Sequence, residues 1–489
     1  MSILEASVPI LSPLAGQDRA IANLHIGFAA QREAFAADRY PSLEERKRRI
    51  EALIGMMLTH REAISDALSQ DFGAHPVPAS DLIEVLGVVS RAQYVLANLE
   101  TWMAPAPRET DAAFLGTSKA YIHSQPKGVV GNISPWNFPF DLSVGPMIEM
   151  LAAGNRVMVK PSEFTPACGA LLARMVAETF EPDLVHVVNG GLEVAQAFAA
   201  LPWDHLLYTG SPNVGRKVME AAAKNLTPVT LELGGKCPAL LTPGSVNAKS
   251  VESVIGTKII KNGQMCVSVD YCLVHRSEVE AFVDHATAFL HTAAPSYSRG
   301  DDCTGIISVA HLDRLMGLLQ EARDRQARVV TLERDQGVDT ATRRMPMSLV
   351  IDPEPDLRLM REEIFGPILP VVVYDDLDAA IASVNAGERP LGLYLFGDDL
   401  AQIDSILAQT TSGGVAINTC AMQSALPSLA FGGVGMSGMG RHHGVEGFRE
   451  FSNPRGVFVR GEGDMIDTFY SPYAKAAAVV AAVLAGPHA

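Results

Sequence analysis

A regular alternation of short apolar runs with helical stretches, between residues 129 and 233, constrains the fold of this chain more than any other feature. Five runs have the length of buried strands: 129–133, 156–160, 184–188, 205–209 and 229–233. Stretches with helical spacing of apolar residues separate them, near 142–152, 166–180, 192–200 and 214–224. Such alternation is typical of βαβ units, whose crossovers are right-handed. It predicts a parallel, doubly wound sheet with helices on both faces.

Two further regions flank this alternation. Apolar residues recur at helical spacing from 43 to 102, with a turn at 73–78, and a short strand is expected at 120–123. After residue 235 a second alternation begins, which predicts a second α/β domain. Its candidate strands lie at 239–241, 272–274, 329–332, 349–351, 369–373 and 414–417.

Composition places the chain among folded proteins with an acidic surface. Of 489 residues, 48% are hydrophobic and 19% are charged, which are ordinary proportions for globular domains. Lys and Arg number 39 against 55 Asp and Glu, so the formal net charge is −16. Because an acidic surface repels phosphate backbones and anionic headgroups, nucleic acid is disfavoured as a partner.

The cysteine pattern indicates a reducing compartment, and the two termini lack the patterns of a secretory signal and of a membrane span. The 6 cysteines are scattered without the paired spacing of a disulfide framework or a zinc site. Residues 1–17 lack a basic stretch followed by an apolar core, so no secretory signal is expected. The longest apolar run, 476–486, is shorter than the roughly 20 residues that span a bilayer, and it fits an Ala-rich helix or a frayed tail. We therefore expect a cytoplasmic protein without a membrane span.

Cys266 follows a loop that the sequence defines closely. Apolar residues at 251, 254, 255 and 259 share one helical face, and Gly263 is placed to end that helix in the left-handed conformation. A free thiol has a pKa of about 8.5 and has to ionise before it attacks carbon, which requires nearby donors or positive charge. Cys266 is therefore a candidate nucleophile. A small buried hydrophobe is the alternative that the same residues allow.

Glu232 and Asn137 follow predicted strands of the first sheet. Alternation in the run at 229–233 puts Glu232 on the opposite face from its apolar neighbours, at the carboxyl end of the strand, where open α/β sheets bind ligands. Glu232 is placed like a general base, or it caps the next element.

Two prolines, Pro135 and Pro139, stiffen the loop around Asn137. A rigid amide donor suits an oxyanion hole, although an ordinary strand-exit turn explains the same residues.

Two segments at the same sheet edge suit a dinucleotide. Lys160 and Glu163 follow the second strand, where a carboxylate can accept hydrogen bonds from two ribose hydroxyls and would repel a 2′-phosphate. This favours NAD over NADP. Gly210, Ser211 and Gly215 lie in a strand-to-helix turn that presents free backbone N–H groups to a pyrophosphate, although many such turns contain two glycines.

Two other motifs are interpreted as structural. The sequence GVGMSG at 433–438 fits the dinucleotide pattern, but no βαβ unit can follow it so close to the C-terminus, which predicts a Gly-rich loop. His442 and His443 have no further ligand at metal-binding spacing, so we expect them on the surface and expect no metal site.

Taken together, these motifs resemble those of the aldehyde dehydrogenase superfamily, and most closely its branch of coniferyl-aldehyde and fatty-aldehyde dehydrogenases. The elements that carry the resemblance occur in family order: PWNFP at 135–139, KPSE at 160–163, YTGS at 208–211, LELGGK at 231–236, GQMC at 263–266, EEIFGP at 362–367 and FGGVGMSGMGRHHG at 431–444. The branch likeness rests on TWMAP near 101, GPMIEMLAAGNRVMVKPSE and LTPVTLELGGK.

The resemblance implies hydride transfer through a covalent thioester. Cys266 would attack the aldehyde, and the Asn137 amide with the Cys266 N–H would hold the oxyanion. Glu232 would activate the water that hydrolyses the thioester. The implied cofactor is NAD, with NADP possible, and the implied cofactor-binding residues are Trp136, Lys160, Glu163, Gly210, Ser211, Gly215, Glu363 and Phe365.

Within that family pattern, Glu363 and Phe365 would lie beside the nicotinamide ribose and ring, Lys160 and Glu163 on the adenosine ribose, and Ser211 at the pyrophosphate. The implied domains are a dinucleotide-binding domain at 1–106 and 128–232, a catalytic domain at 233–418, and an oligomerisation segment with a C-terminal tail at 107–127 and 419–489. The implied assembly is a homodimer.

The resemblance implies an enzyme that oxidises an aromatic aldehyde, of the coniferyl or benzaldehyde type, to the carboxylic acid with NAD(P). A medium-chain or long-chain aliphatic aldehyde is the alternative substrate. A reading of another class is a non-catalytic structural or binding protein that keeps the fold. The presence of all three polar residues, Cys266, Glu232 and Asn137, counts against that reading.

Overall fold

The computed structural model describes residues 13–333 and 337–486, and it confirms the predicted α/β class. Residues 1–12 and 487–489, which belong to the predicted first domain and tail, lie outside the described residues. The strands are β1 (Ala106–Arg108), β2 (Lys119–Pro126), β3 (Val129–Ile133), β4 (Arg156–Lys160), β5 (Val185–Val187), β6 (His205–Gly210), β7 (Val229–Leu233), β8 (Pro238–Leu241), β9 (Tyr271–His275), β10 (Arg328–Thr331), β11 (Ser348–Ile351), β12 (Ile368–Tyr374), β13 (Gly392–Phe396), β14 (Gly414–Ile417), β15 (Gly438–Met439) and β16 (Ser452–Val459).

The helices include one long element at 77–103 with a π-helical segment, Ser80–Gly87, inside it. The α-helices are α1 (Pro13–Ala37), α2 (Leu43–Thr59), α3 (Arg61–Phe72), α4 (Val77–Ala79), α5 (Val88–Met103), α6 (Ala112–Leu115), α7 (Asp141–Ala152), α8 (Pro166–Thr179), α9 (Leu192–Ala199), α10 (Pro212–Ala223), α11 (Ala248–Ile259), α12 (Val279–Ala293), α13 (Val309–Asp324), α14 (Arg358–Arg361), α15 (Leu377–Ala386), α16 (Leu400–Gln409), α17 (Met422–Ala425), α18 (Gly444–Glu450) and α19 (Ala474–Ala485). Short 3₁₀ turns lie at Ile260–Gly263, Arg276–Glu278, Tyr297–Arg299 and Ile466–Phe469.

The first sheet has the strand order β15-β7-β6-β3-β4-β5, and its five strands from β3 to β7 are parallel. The order reverses between β3 and β6, which pair with Ile133 opposite Tyr208. Ligands bind at such a reversal, outside the carboxyl ends of the strands, because the connections there leave in opposite directions and open a crevice. The predicted doubly wound sheet is therefore present, and its reversal point lies next to Asn137 and Ser211.

Both faces of this sheet are covered because its strands are apolar on both sides. In β4, Val157 and Val159 face the core formed with α2, α3, α5, α7 and α8, whereas Met158 faces the core formed with α1, α9 and α10. Full burial of such a side chain contributes about 1.5–3 kcal/mol, and this favours continuous apolar runs over alternating ones.

The second sheet has the order β10-β11-β12-β9-β8-β13-β14, parallel except for the β10–β11 pair. The predicted strands of this region are all present. Sequence analysis omitted β13, although its residues GLYLF are fully buried between β8 and β14. Its side chains alternate between two cores, with Tyr394 on one face and Leu393 and Leu395 on the other.

A third sheet joins distant parts of the chain. Strand β2 lies between β1 and β16, and all its pairings are antiparallel. These strands come from the segments for which an oligomerisation role is expected.

The helix α19 confirms the helical alternative for the Ala-rich run and exposes Val480, Val483 and Leu484. By length and hydropathy alone, the 77–103 helix could cross a membrane, but its residues Val85, Val88 and Leu99 are fully buried in the core that it shares with α2 and α7.

A buried ion pair ties the 77–103 helix to the loop that precedes Cys266. Lys261 Nζ lies 2.5 Å from Glu84 Oε1, and both side chains are buried. The second carboxylate oxygen of Glu84 accepts hydrogen bonds from the backbone N–H groups of Phe140 and Asp141 at 3.1 and 2.9 Å. Glu84 therefore holds the start of α7 and the Cys266 loop at once.

We predict that Glu84→Ala destabilises the protein by about 3–5 kcal/mol, because the change leaves a buried ammonium and two buried N–H groups without a partner. Urea unfolding followed by circular dichroism measures the effect. The control is Asp375→Ala, which breaks the exposed pair between Arg276 and Asp375 and is expected to change stability little. Equal losses in the two variants would contradict the role of Glu84.

Candidate active site

A cavity of about 270 Å³ lies at the carboxyl ends of β3, β6 and β7, beside the loops that carry Cys266 and Glu363. Its walls include most of the residues to which sequence analysis gave a role, although they are spread over more than 200 positions of the chain. The members from that set are Trp136, Asn137, Gly210, Ser211, Glu232, Cys266, Glu363 and Phe365.

Cys266 is positioned by a backbone turn of unusual conformation. Helix α11 begins with a capping box between Asn247 and Ser250 and ends at Ile259. Lys261, Asn262 and Gly263 then follow with φ values of 51°, 54° and 78°. A Cβ on Gly263 would lie 2.3 Å from the carbonyl oxygen of Gly366, so only glycine fits at this contact. The left-handed conformation predicted for Gly263 is present, and it extends over two preceding residues.

Gln264 and Asn137 fix the loop from two sides. Gln264 Nε2 donates to the carbonyls of Lys261 and Gly305, both at 3.0 Å, and its Oε1 accepts from the N–H of Ile307. Asn137 Nδ2 donates to the carbonyl of Gln264 at 3.2 Å, and Asn137 is only 3% exposed. The amide of Asn137 is therefore held rigidly beside the segment that carries Cys266.

The Cys266 thiol lies in surroundings that favour its neutral form. Burial, together with the nearby carboxyl groups of Glu363 and Glu232, raises the pKa of Cys266 to about 12. The backbone N–H groups of Cys266 and Val267 oppose this shift. The thiol is partly exposed to the cavity, whereas the other cysteines are buried. In the isolated chain the thiolate is therefore scarce at neutral pH, and activation requires an added positive charge or further donors.

Glu232 lies at the carboxyl end of β7 and is 2% exposed. Neither of its carboxylate oxygens has a hydrogen-bond partner among the described residues. Burial raises its pKa well above the usual value, and Glu450 adds to this, while Arg441 and Arg91 oppose it. A carboxyl group with raised proton affinity in a cavity is suited to accept a proton from water.

The structure corrects the expectation for His442. His442 is 1% exposed and not on the surface, and its Nε2 lies 3.8 Å from Glu232 Oε1. The 433–438 loop, by contrast, is structural as predicted: the carbonyl of Ser437 accepts from the N–H of Leu233, and β15 pairs with β7. That antiparallel pairing brings His442 close to β7. The periodicity of apolar residues in the sequence does not predict this proximity.

Glu363 and Phe365 belong to the loop between α14 and β12, which is held by hydrogen bonds with Lys236 and Asp270. Lys236 Nζ bonds to Asp270 and to the carbonyls of Leu359 and Glu362, and Asp270 Oδ1 accepts from the N–H of Ile364 at 2.9 Å. The Glu363 carboxyl lies against Gly234, where a Cβ would be 2.2 Å from Oε2. Burial and Asp270 raise the pKa of Glu363 to about 8, against the opposing N–H of Gly235.

The turn after β6 has the geometry of an anion site. Ser211 is the N-cap of α10, its Oγ accepts from the N–H of Val214, and Pro212 follows it. Gly210 and Ser211 line the cavity, whereas Gly215 lies behind it, where a Cβ would be 2.8 Å from Leu233. Gly215 therefore allows α10 to approach the sheet closely.

Lys160 and Glu163 also lie outside the cavity, at the end of the neighbouring strand β4. Lys160 is buried and its Nζ donates to the carbonyl of Pro161 at 2.7 Å and to Glu163 Oε2 at 3.3 Å. The Glu163 side chain is 45% exposed. This leaves a carboxylate oxygen accessible at the sheet edge.

Some cavity residues were not found by sequence analysis: Leu142, Thr209, His311, Arg314, Leu391 and Phe431. Thr209 and Phe431 lie inside quoted motifs, so a signal existed for them. Arg314 is in α13 and donates to the carbonyls of Glu363 and Ile364, and His311 meets the Trp136 ring edge-on at 5.4 Å. Nothing in the local pattern of α13 marks these two residues.

Comparison with known proteins gives a consistent result. The model of the Aldehyde dehydrogenase family matches residues 17–457. A probable coniferyl aldehyde dehydrogenase of Caulobacter vibrioides is 43% identical over 89% of this chain and 90% of its own length. The coniferyl aldehyde dehydrogenase of a Pseudomonas species is 39% identical, with the same two coverages.

Solved structures agree with the sequence matches. The substrate-bound Staphylococcus aureus AldH has a TM-score of 0.88 and 32% identity, and the match covers 94% of this chain and 99% of that chain. The Mycobacterium tuberculosis aldehyde dehydrogenase complexed with NAD⁺ has a TM-score of 0.80 and 27% identity, with coverages of 91% and 92%.

We predict that alkylation of Cys266 by iodoacetamide, without cofactor, accelerates about tenfold per pH unit between pH 7 and 9. The reason is that a thiol whose pKa is raised to about 12 gains thiolate in proportion to hydroxide throughout this range. Peptide mass spectrometry measures the rate, and Cys266→Ser is the control for labelling elsewhere. A rate that levels off below pH 8 would contradict the raised pKa.

Proposed function

Because this chain belongs to the aldehyde dehydrogenase family, we propose that it oxidises an aromatic aldehyde of the coniferyl or benzaldehyde type to the carboxylic acid with NAD(P). The observation that carries the proposal is the meeting of Cys266, Glu232 and Asn137 at one cavity, beside the reversal point of a doubly wound sheet. The names of two relatives favour the aromatic substrate.

The residues present fit a dinucleotide. The first turn of α10 offers backbone N–H groups and a positive dipole end to a pyrophosphate, and Ser211 caps it at the cavity wall. Glu363 presents a carboxyl group suited to ribose hydroxyls, and Trp136 and Phe365 meet edge-on with ring centroids 5.3 Å apart. The accessible carboxylate of Glu163 would accept ribose hydroxyls and repel a 2′-phosphate, which supports NAD as the preferred cofactor.

Cys266 performs the covalent step. Its thiolate attacks the aldehyde carbon, a C–S bond forms, and the carbonyl oxygen becomes the oxyanion of a hemithioacetal. The Asn137 amide, fixed on the Gln264 carbonyl, retains a second N–H for this oxyanion, and the Cys266 N–H is the other donor. Removal of one such donor typically slows catalysis by about 100-fold to 1,000-fold.

When bound, a nicotinamide would supply the acceptor for the hydride of the hemithioacetal C–H bond. As that bond breaks, the oxyanion held by Asn137 re-forms a C=O bond, and the substrate remains on Cys266 as a thioester. Glu232 then takes a proton from a water molecule, and the resulting hydroxide attacks the thioester carbonyl. The C–S bond breaks, the acid leaves, and the sulfur regains its thiolate. Because the pKa of Glu232 is already raised by burial, the carboxylate binds this proton readily.

The apolar part of the cavity supports an aromatic substrate. Leu142, Leu391 and Phe431 line it, and the Phe431 ring stacks on His443 at a centroid distance of 5.2 Å and an interplanar angle of 21°. A flat ring packs well against such a wall. The same lining also accommodates an aliphatic chain, so a medium-chain or long-chain aldehyde is the second candidate substrate.

Assembly and location complete the proposal. We expect a homodimer in the cytoplasm, with the domain boundaries given above, and we expect the β1-β2-β16 sheet with the C-terminal region to bridge the subunits. The support is the antiparallel sheet that 106–126 and 452–459 build apart from the two domain cores.

The substrate class is tested by NADH formation at 340 nm with a panel of aldehydes. We expect kcat/KM for coniferyl aldehyde and benzaldehyde to exceed that for hexanal, because planar rings gain contact with the aromatic wall. A higher kcat/KM for hexanal would favour the aliphatic alternative. Inactivity with every aldehyde, using either NAD or NADP, would contradict the proposed function.

We predict that Glu232→Gln still produces a burst of NADH but turns over about 100-fold to 10,000-fold more slowly, because an amide cannot take the proton of water. Stopped-flow absorbance separates the two phases, and Asp375→Asn, an exposed carboxylate outside the cavity, is the control. A wild-type steady-state rate in Glu232→Gln would remove Glu232 from water activation.

A further inference from the structure

A group of buried polar atoms beside Glu232 is not used by the mechanism above. Both oxygens of Glu232, Nε2 of His442 and Nδ1 of His443 have no hydrogen-bond partner among the described residues. Buried polar atoms are paired in most proteins, and a cluster of unpaired ones calls for an explanation. Within this group, His442 Nε2 lies 3.8 Å from Glu232 Oε1.

Arg91 determines which nitrogen of His442 carries the proton. Arg91 Nη2 lies 3.1 Å from His442 Nδ1, and a guanidinium can only donate. Nδ1 therefore accepts, and the proton of a neutral imidazole is on Nε2, the nitrogen that faces Glu232. Burial and Arg91 lower the pKa of His442 well below its usual value, so the ring is neutral and the Nε2–H tautomer is the one present.

The position of His442 is held independently of Glu232. Arg91 also forms two hydrogen bonds to Glu149, at 2.8 and 2.7 Å, and Glu149 Oε1 accepts from the N–H of Gly444. The backbone of His442 exchanges two hydrogen bonds with Phe431, both at 2.8 Å. The next residue, His443, has φ 77° and ψ 136°, a strained conformation for a side chain of this size. A strained backbone persists only where the surrounding contacts hold it, so the conformation of His443 indicates that this segment is firmly fixed.

The geometry points to His442 as a positioning residue that donates its Nε2–H to the Glu232 carboxylate and holds that carboxylate in place to activate the hydrolytic water. This inference rests on the proposed function and deepens it. A distance of 3.8 Å is closed to hydrogen-bonding distance by a rotation of the Glu232 side chain that moves Oε1 by about 1 Å.

The arrangement has a chemical consequence for deacylation. A donor to the carboxylate stabilises the anionic, proton-accepting form of Glu232 and opposes the effect of burial. It also limits the carboxylate to orientations compatible with one attacking water, which matters because misplacement of about 1 Å can cost about 100-fold in rate. His442 acts only through Glu232, so formation of the thioester on Cys266 should not depend on it.

The test compares His442→Phe with His442→Gln. Phenylalanine keeps a ring in the cavity without a donor, and Arg91 remains paired with Glu149. Glutamine returns an amide N–H near the former Nε2. The matched control is His205→Phe, which removes another buried histidine that bonds to Lys127 and Thr230 and not to Glu232.

Each variant is mixed with benzaldehyde and NAD, and two readouts are taken: the burst and steady-state rates of NADH formation, and the acylated fraction of Cys266 in acid-quenched protein by intact mass. For His442→Phe we expect an unchanged burst, a steady-state rate lowered about 10-fold to 100-fold, and an acylated fraction at or above that of the parent. We expect His442→Gln to recover most of the rate and His205→Phe to keep the parental ratio of the two phases. In the Glu232→Gln background, His442→Phe should add no further loss.

The outcomes separate the inference from the function on which it rests. A parent that oxidises no aldehyde overturns the proposed function itself. A parent that is active, with His442→Phe turning over at the parental rate, overturns the role of His442 alone. A reduced burst with a lower acylated fraction in His442→Phe, or an additive loss in the Glu232→Gln background, shows a structural effect and also overturns it.

Discussion

The contact between Gly263 and the backbone of Gly366 is the constraint on which the rest of the site depends. No side chain fits between the two loops, so the turn before Cys266 and the loop that carries Glu363 and Phe365 have to meet directly. Three consecutive left-handed residues make that turn possible, and Gln264 and Lys261 hold it from inside the protein. The nucleophile is thereby placed by backbone, not by a flexible side chain, which is how an active site keeps its geometry while substrates exchange.

The second property of the site is its low polarity around three acids. Burial raises the pKa of Cys266 to about 12 and that of Glu363 to about 8, so in the isolated chain these two groups are largely neutral near pH 7, and burial also raises the pKa of Glu232. Acids in such a site ionise when positive charge or hydrogen-bond donors arrive with the reactants, because electrostatic interactions are strong in a poorly hydrated cavity. His442 and Arg91 fit this scheme as a fixed donor and the cation that orients it, provided by the protein itself.

Sequence patterns could predict most strands of the two largest sheets because apolar runs such as those of β3 and β4 are long enough to be buried on both faces. The equally buried β13 was omitted. They could also place Cys266, Glu232 and Asn137 at strand or helix ends. They could not place His442, because its approach to Glu232 depends on the antiparallel pairing of β15 with β7 and on a buried arginine from a distant helix. Arg314 and His311 could not be placed either, because they reach the cavity from α13, whose own pattern is that of an ordinary amphipathic helix.

Every step of the proposed reaction requires the covalent role of Cys266. Its most direct test is to mix the Cys266→Ser variant and the parent with aldehyde and NAD, quench in acid, and map any acyl group by peptide mass spectrometry. We expect the parent to carry the acyl group of the substrate on the peptide that contains residue 266, and the serine variant to carry none and to form no NADH burst. Acylation at another residue, or oxidation by the serine variant at the parental rate, would contradict the account.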